Sequence, residues 1–406
     1  MSRYGALAQP AAFPHIIFAA SATLGEHRTP PGRDRVSYTF CADWVGGPDV
    51  GYVNTRRLEE LAPPRLRRDL TVQGAVALSG AAIAASVGGQ GSAWYEPLFV
   101  VSGVRLGAWM PNPAYLIEHH RTPRTLTEPG LPRTRRMNYL LRELFGIHPA
   151  DGPLLQVTDG GFYDNLGLVE LFRRGCTRIY CVDASGDSPP AATTLAQALT
   201  RAYQELGVSS DLHVDTWKTA TIGSGEKLIP AEALAALSNR LSSTGIITGS
   251  FSYPASGPFA GRTGTLVVAK ASLWAGLPYS LMAYAQGSSS FPHDSTADQW
   301  FDDRQYAAYT ELGRHLGEAA VTAMETATAP GPAQPAPGPG GIDYHVADGF
   351  VPPSAGSTAN APSAGSTAKF KKTASGAGRA GAAAEPRVAM AAADFHSQRR
   401  HQRHKR

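Results

Sequence analysis

Apolar positions along the chain fall into two spacings, and these predict the elements. His15-Ile-Ile-Phe-Ala and Val36-Ser-Tyr-Thr-Phe-Cys are short β-rich runs and predict strands. Val72 to Ser86 is an Ala-rich run predicting a buried helix, and Met137 to Phe145 predicts another with Leu140, Leu141 and Leu144 on one face. Leu154-Leu-Gln-Val is a short strand-like run ending at Thr158-Asp159-Gly160-Gly161. Leu166, Val169 and Phe172 then recur at helical spacing, with Asn165 as the expected cap and Gly175 as the stop. Thr177 to Val182 is the next strand, ending at Asp183. Strand, helix, strand in this order predicts a βαβ unit and a parallel sheet, with ligand chemistry at the C-terminal strand ends.

Further along, Thr193 to Leu206 and Ala231 to Leu241 predict helices. Gly245 to Tyr253 and Thr265 to Leu273 predict two strands that pair with each other. Ser295 followed by Asp298 resembles a capping box opening a last helix to about Ala323. From Thr328 the periodicity stops. The segment is rich in Ala, Pro, Gly and Ser, and it repeats Pro353-Ser-Ala-Gly-Ser-Thr-Ala at Pro362. Such a sequence buries too little apolar surface to offset the entropy of ordering. Residues 1–327 are therefore expected to form a globular body and 328–406 a disordered tail.

Charge sharpens this division. Beyond residue 327, ten Lys/Arg face four Asp/Glu, a balance of +6. That leaves −2 on the body out of the formal +4 for 406 residues. The body does not have the charge of a nucleic-acid-binding domain, and no nucleic-acid partner is expected. No apolar run reaches the roughly 18 residues of a membrane span, and the first residues lack a secretory pattern. The expected location is cytoplasmic. Cys41, Cys176 and Cys181 have no metal-ligand spacing and read as reduced thiols.

Asp159-Gly160-Gly161 carries the candidate chemistry. A carboxylate at a strand end can line a site, and two glycines leave room beside it. The wider segment, Asp159-Gly-Gly-Phe-Tyr-Asp-Asn-Leu-Gly-Leu-Val-Glu-Leu, resembles the aspartate segment of patatin-like phospholipases, in their large bacterial branch similar to cytosolic phospholipase A. Four further segments resemble that family in the same order: Ala77-Leu-Ser-Gly-Ala-Ala, Val104-Arg-Leu-Gly-Ala-Trp-Met-Pro-Asn-Pro, Ile179-Tyr-Cys-Val-Asp-Ala and Phe291-Pro-His-Asp-Ser-Thr-Ala-Asp-Gln. The resemblance covers residues 10 to 318.

What the resemblance implies is an α/β fold: a patatin-like core with a mostly parallel sheet and helices on both faces. It also implies a Ser–Asp acyl hydrolase acting on phospholipid or other acyl-ester lipid, without cofactor or metal. Asp159 carries over as the dyad aspartate, with Gly160 and Gly161 shaping the site. The family's serine lies in a G-x-S-x-G elbow, preceded by a glycine-rich oxyanion loop. This sequence contains neither. The chain is thus expected to correspond to the portion that follows the nucleophile and to be inactive by itself. A catalytically inactive remnant, or a lipid-binding scaffold, is the alternative.

Weaker candidates are Ser79 as a nucleophile without its upstream glycine, His293 beside a helix cap, Asp183 as a strand-end hydrogen-bonding residue, and His119-His120 on a solvated loop. The basic end, Arg399 to Arg406, reads as a solvated terminus or as a peripheral contact to anionic lipid.

Overall fold

The computed structural model describes residues 14–24, 35–80, 107–121, 131–133, 137–144, 147–187, 191–213, 217, 237, 240–295, 298, 300–327 and 350–351. Seven strands form the first sheet: β1 Phe18–Thr23, β2 Arg35–Phe40, β3 Trp44–Gly47, β4 Gly51–Asn54, β5 Ala108–Pro111, β6 Leu154–Asp159 and β13 Phe350–Val351. Their order is β13-β4-β3-β2-β1-β6-β5, and every pairing is antiparallel. β13 lies in the segment expected to be disordered, pairing Phe350 with Val53; the rest of that segment falls outside the described residues.

The register gives this sheet two unlike faces. Paired residues share a face, so Phe40, Tyr38, Val36, Ala20, Ala22, Leu155 and Val157 lie together and are buried. Ser21, Ser37, Thr39, Gln156 and Thr158 line the opposite face, also buried. Short helices flank the sheet: α1 Thr55–Leu61, α2 Pro64–Arg67, α3 Val72–Ser79, α4 Pro113–Arg121 and α5 Met137–Leu144. α3 is capped by Thr71, whose Oγ1 accepts the Gly74 N–H at 3.1 Å, and it ends at Gly80. It packs against β1 and β6, burying Ala75 and Leu78. Residues 81–86 of the expected longer helix lie outside the described residues. Among the described side chains of α5 Tyr139 is buried, its ring 5.0 Å from that of Trp109, while Leu141 is exposed; the side chains of Leu140 and Leu144 lie outside the described residues.

The second sheet runs β7-β11-β10-β8, with β7 Arg178–Asp183, β8 Ser209–Leu212, β10 Ile246–Ser252 and β11 Thr263–Lys270. The expected pairing of the last two is present, antiparallel, with Ile247 opposite Val268. α6 Leu168–Arg173 and α7 Thr193–Leu206 bury Leu168, Phe172, Leu195 and Ala198 on one face of this sheet, with Leu266 and Val268. α8 Tyr279–Gly287 and α9 Asp303–Ala327 cover the other face with Leu281, Leu312 and Leu316 against Val267 and Ala269. A small parallel pair joins β9 Leu241–Ser242 to β12 Leu273–Trp274, where the sequence predicts the end of a helix from Ala231.

The mostly parallel sheet with helices on both faces is therefore overturned: the larger sheet is wholly antiparallel and the second is mixed. The expected βαβ unit fails at its crossover. β6 belongs to the first sheet and β7 to the second, where β7 runs parallel to β11. A six-residue helix advances only about 9 Å, against about 20 Å for a six-residue strand, so α6 cannot return the chain along β6. Two helix starts also move. The N-cap position of α6 is Gly167, not Asn165, with Asp164 accepting the Val169 N–H from outside the helix, and Asp302 rather than Ser295 opens α9, accepting the Gln305 N–H at 2.7 Å.

Candidate functional site

Asp159 is the last residue of β6 and stands opposite Ala20, on the apolar face of the first sheet. It extends the Leu155, Val157 series, and its carboxylate is buried at the rim of that core. Burial raises its pKa above the usual carboxylate value; the Gly161 N–H, donating to Oδ1 at 2.8 Å, acts in the opposite direction. Oδ2 accepts no hydrogen bond among the described residues. Ser21 on β1 donates its hydroxyl to the Asp159 carbonyl at 2.7 Å, which fixes the strand end.

Close approach of backbone requires Gly160, whereas Gly161 faces the movable side chain of Asn165. A Cβ on Gly160 would lie 2.6 Å from the Ala19 carbonyl oxygen, and one on Gly161 would lie 2.2 Å from Asn165 Oδ1. They let the chain leave β6 in a 3-10 turn, Gly160–Phe162, that packs on β1 and β2. Asp164 ends this passage: Oδ1 accepts from Leu166 N–H at 2.9 Å and Oδ2 from Val169 N–H at 2.8 Å. Gly167, at φ +63°, is the N-cap residue in place of the expected Asn165, and its reversal brings the α6 N-terminus onto Asp164.

Tyr163 ties the turn to both neighbouring helices. Its hydroxyl lies 2.6 Å from Glu205 Oε2 on α7 and 2.9 Å from an Arg173 nitrogen on α6. Arg173 also pairs with Glu170 at 2.5 Å and Glu205 at 3.0 Å, all nearly buried. Between the turn and α7 lies an open crevice of about 400 Å³, with Gly161, Asn165, Gln197 and Arg201 in its wall.

The other candidates are distributed elsewhere. Ser79 is half-buried at the end of α3, the helix that packs against β1, β6 and the 3-10 turn. Asn112 of the Asn-Pro stretch is fully buried and donates to the carbonyls of Ala150 and Gly152 at 2.8 and 2.7 Å, anchoring the approach to β6. Residues 81–82, 104–106, 296–297 and 299 of the resembling segments lie outside the described residues, as does the side chain of His120. His119 sits on α4, not on a loop, with Nδ1 2.8 Å from the Tyr115 carbonyl.

Asp183 ends β7 of the second sheet, and His293, in the turn after α8, reaches the residue that follows β11; neither is on the strand that carries Asp159. Near both stands Lys270 of β11, a residue that the sequence reading passes over. Lys270 is fully buried at the end of β11, 3.1 Å from Asp183 Oδ1 and 3.8 Å from Asp187 Oδ2. Its ammonium donates to the Ser185 carbonyl at 2.7 Å and hydroxyl at 2.6 Å. His293 Nε2 lies 2.8 Å from the Ala271 carbonyl, and burial lowers its pKa. Beside it, Phe291 is buried, and Arg240 donates to the carbonyls of Ala285, Ser288 and Phe291. The Phe-Pro-His-Asp segment is thus anchored structurally in the second sheet. A signal for Lys270 was available, a lone lysine closing the apolar run Leu266-Val-Val-Ala.

All three cysteines are free, and burial raises their pKa, for Cys181 to about 12. Among the described residues no group of His, Cys, Asp and Glu could hold a metal ion, and no helix is long and apolar enough to cross a membrane. Comparison with family models, curated proteins and solved structures finds no match to this chain.

Proposed function

We propose that Asp159 is the acid/base residue of a Ser–Asp acyl-ester hydrolase acting on phospholipid or a related lipid. The observation that carries the reading is Asp159 Oδ2: an oxygen of a buried carboxylate of raised proton affinity, with no hydrogen-bond partner among the described residues. In the reaction a serine hydroxyl gives its proton to this oxygen as it attacks the ester carbonyl. The resulting acid returns the proton to the departing alcohol, and water then cleaves the acyl-serine by the same exchange. The resemblance of five ordered segments to patatin-like phospholipases supports the same reaction.

The nucleophile is the part this sequence does not supply as G-x-S-x-G. Ester hydrolysis and fluorophosphonate labelling, with this chain alone and together with a segment bearing such a serine, test the reading. Turnover that needs both parts and is lost in Asp159→Asn supports it. Turnover insensitive to Asp159→Asn overturns it.

A second reading, a non-catalytic lipid-binding protein, is favoured by one feature. Asp159 and Gly160 each have a sufficient structural task, as a cap and as a close-approach position. Lipid binding without turnover in the combined preparation would select it. For the basic end we propose peripheral contact with anionic lipid; salt-insensitive vesicle binding, unchanged on deleting residues 369–406, overturns that.

A further inference from the structure

We propose that the crevice beside Asp159 seats the phosphate of a phospholipid, with Arg201 as its anion-binding residue; this rests on the acyl-hydrolase reading and names its substrate class. Gly161 lines the crevice and also donates to Asp159 Oδ1, so the crevice begins two residues from the carboxylate. Arg201 reaches it from α7. Its guanidinium lies over the Tyr163 ring, 4.7 Å from the centroid, and makes no hydrogen bond or ion pair among the described residues. Tyr163 is itself held by Glu205 and Arg173, so the arginine rests on a fixed platform.

A stacked guanidinium keeps its edge of N–H donors available, and that fork matches the oxygens of a phosphate. Asn165, Gln197 and Gln204 add neutral, exposed polar side chains around the same space. The one carboxylate in the wall, Asp164, has an oxygen bonded to each of two backbone N–H groups. The crevice therefore presents an unpaired positive charge with no competing anion turned toward it.

A second cavity, about 560 Å³, lies on the other flank of α7 and is lined by Ala192, Leu195, Leu199 and Leu212. Thr193 and Ala196 line both cavities. In the proposal the phosphate takes the first cavity and an acyl chain the second, whose lining is mostly apolar. Free phosphate engages only the first, and an uncharged ester only the second.

The test is calorimetric titration of the full chain with inorganic phosphate, glycerol 3-phosphate, dihexanoylphosphatidylglycerol as monomer, and uncharged dihexanoylglycerol. The phospholipid should bind tightest. Arg201→Gln should weaken it by about tenfold or more, as loss of a charge-assisted bidentate contact does, and should leave dihexanoylglycerol unchanged. Gln197→Glu, an exposed change that adds a negative charge, should act in the same direction even where Arg201→Gln disturbs folding. Phospholipid binding untouched by both variants, or matched by dihexanoylglycerol, overturns the proposal. Equal affinity for inorganic phosphate and the phospholipid overturns the lipid assignment and makes free phosphate the ligand. Asp159→Asn should bind normally, so turnover that ignores Asp159 while binding still follows Arg201 would refute the hydrolase reading and leave the phosphate seat standing.

Discussion

Lys270→Met should be among the most damaging single substitutions outside the apolar core. The change removes the ammonium from a site with no solvent access and leaves Asp183, 1% exposed, without its cation. Asp183 Oδ2 already has no hydrogen-bond partner among the described residues, so no second donor replaces the lost one. Breaking a buried pair by removing one partner costs about 3–5 kcal/mol. Loss of the bonds to the Ser185 carbonyl and hydroxyl also frees the 184–187 loop that leads to α7. At about 2–4 °C per kcal/mol for a body of this order of size, melting should fall by roughly 6–20 °C. Circular dichroism melts of the wild type and variant measure this. Asp183→Asn in the same background separates charge from shape. It keeps an oxygen for the Ser185 N–H, which now donates to Asp183 Oδ1 at 2.8 Å, and removes the stranded charge. The double variant should recover about half of the loss or more. A Lys270→Met melt within about 2 °C of wild type, or a double variant no better than the single, would show that the pair does not bear on stability as argued.

Further expectations follow from the same geometry. This chain, purified alone, should show no ester hydrolysis and no fluorophosphonate labelling; a labelled serine, with Ser79 the first to examine, would contradict that. With a complementing serine segment, Asp159→Asn should lower turnover by about 10²–10⁴-fold, and retention of a tenth of the rate would rule out the dyad. Since Asp159 has a raised folded pKa, its charge opposes folding above that pKa, so Asp159→Asn should leave stability at pH 7 equal or higher by urea titration. Gly160→Ala places a methyl 2.6 Å from a backbone oxygen and should cost about 1–3 kcal/mol, measured by the same titration. Burial, assisted by the Arg35 charge, lowers the His148 pKa to about 4. Proton uptake therefore favours the unfolded chain, and stability should fall as pH drops from about 6.5 to about 4; His148→Gln should flatten that slope.

Local pattern by itself determined several elements. Thr193–Leu206 is helical over the predicted span because its apolar residues at Leu195, Ala198 and Ala202 repeat on one face and Gly207, at φ +67°, stops it. Gly245–Tyr253 and Thr265–Leu273 pair as predicted because a single Pro/Gly loop joins two β-rich runs. Asp159, Gly160 and Gly161 stand at a strand end as the sequence indicates. Sheet membership was not legible. A strand's own residues specify its period, but its partner is set by long-range packing, and the shortness of α6 sent β6 and β7 to different sheets. Caps moved for a related reason: Asp164 reaches the α6 N-terminus only because Gly167 reverses the chain. Only the tertiary structure joined Lys270 to Asp183, 87 positions apart, or set Arg201 over Tyr163 beside the crevice. The raised proton affinity of Asp159 was likewise decided by register, since Ala20 opposite it places the carboxylate on the apolar face, where it is largely buried.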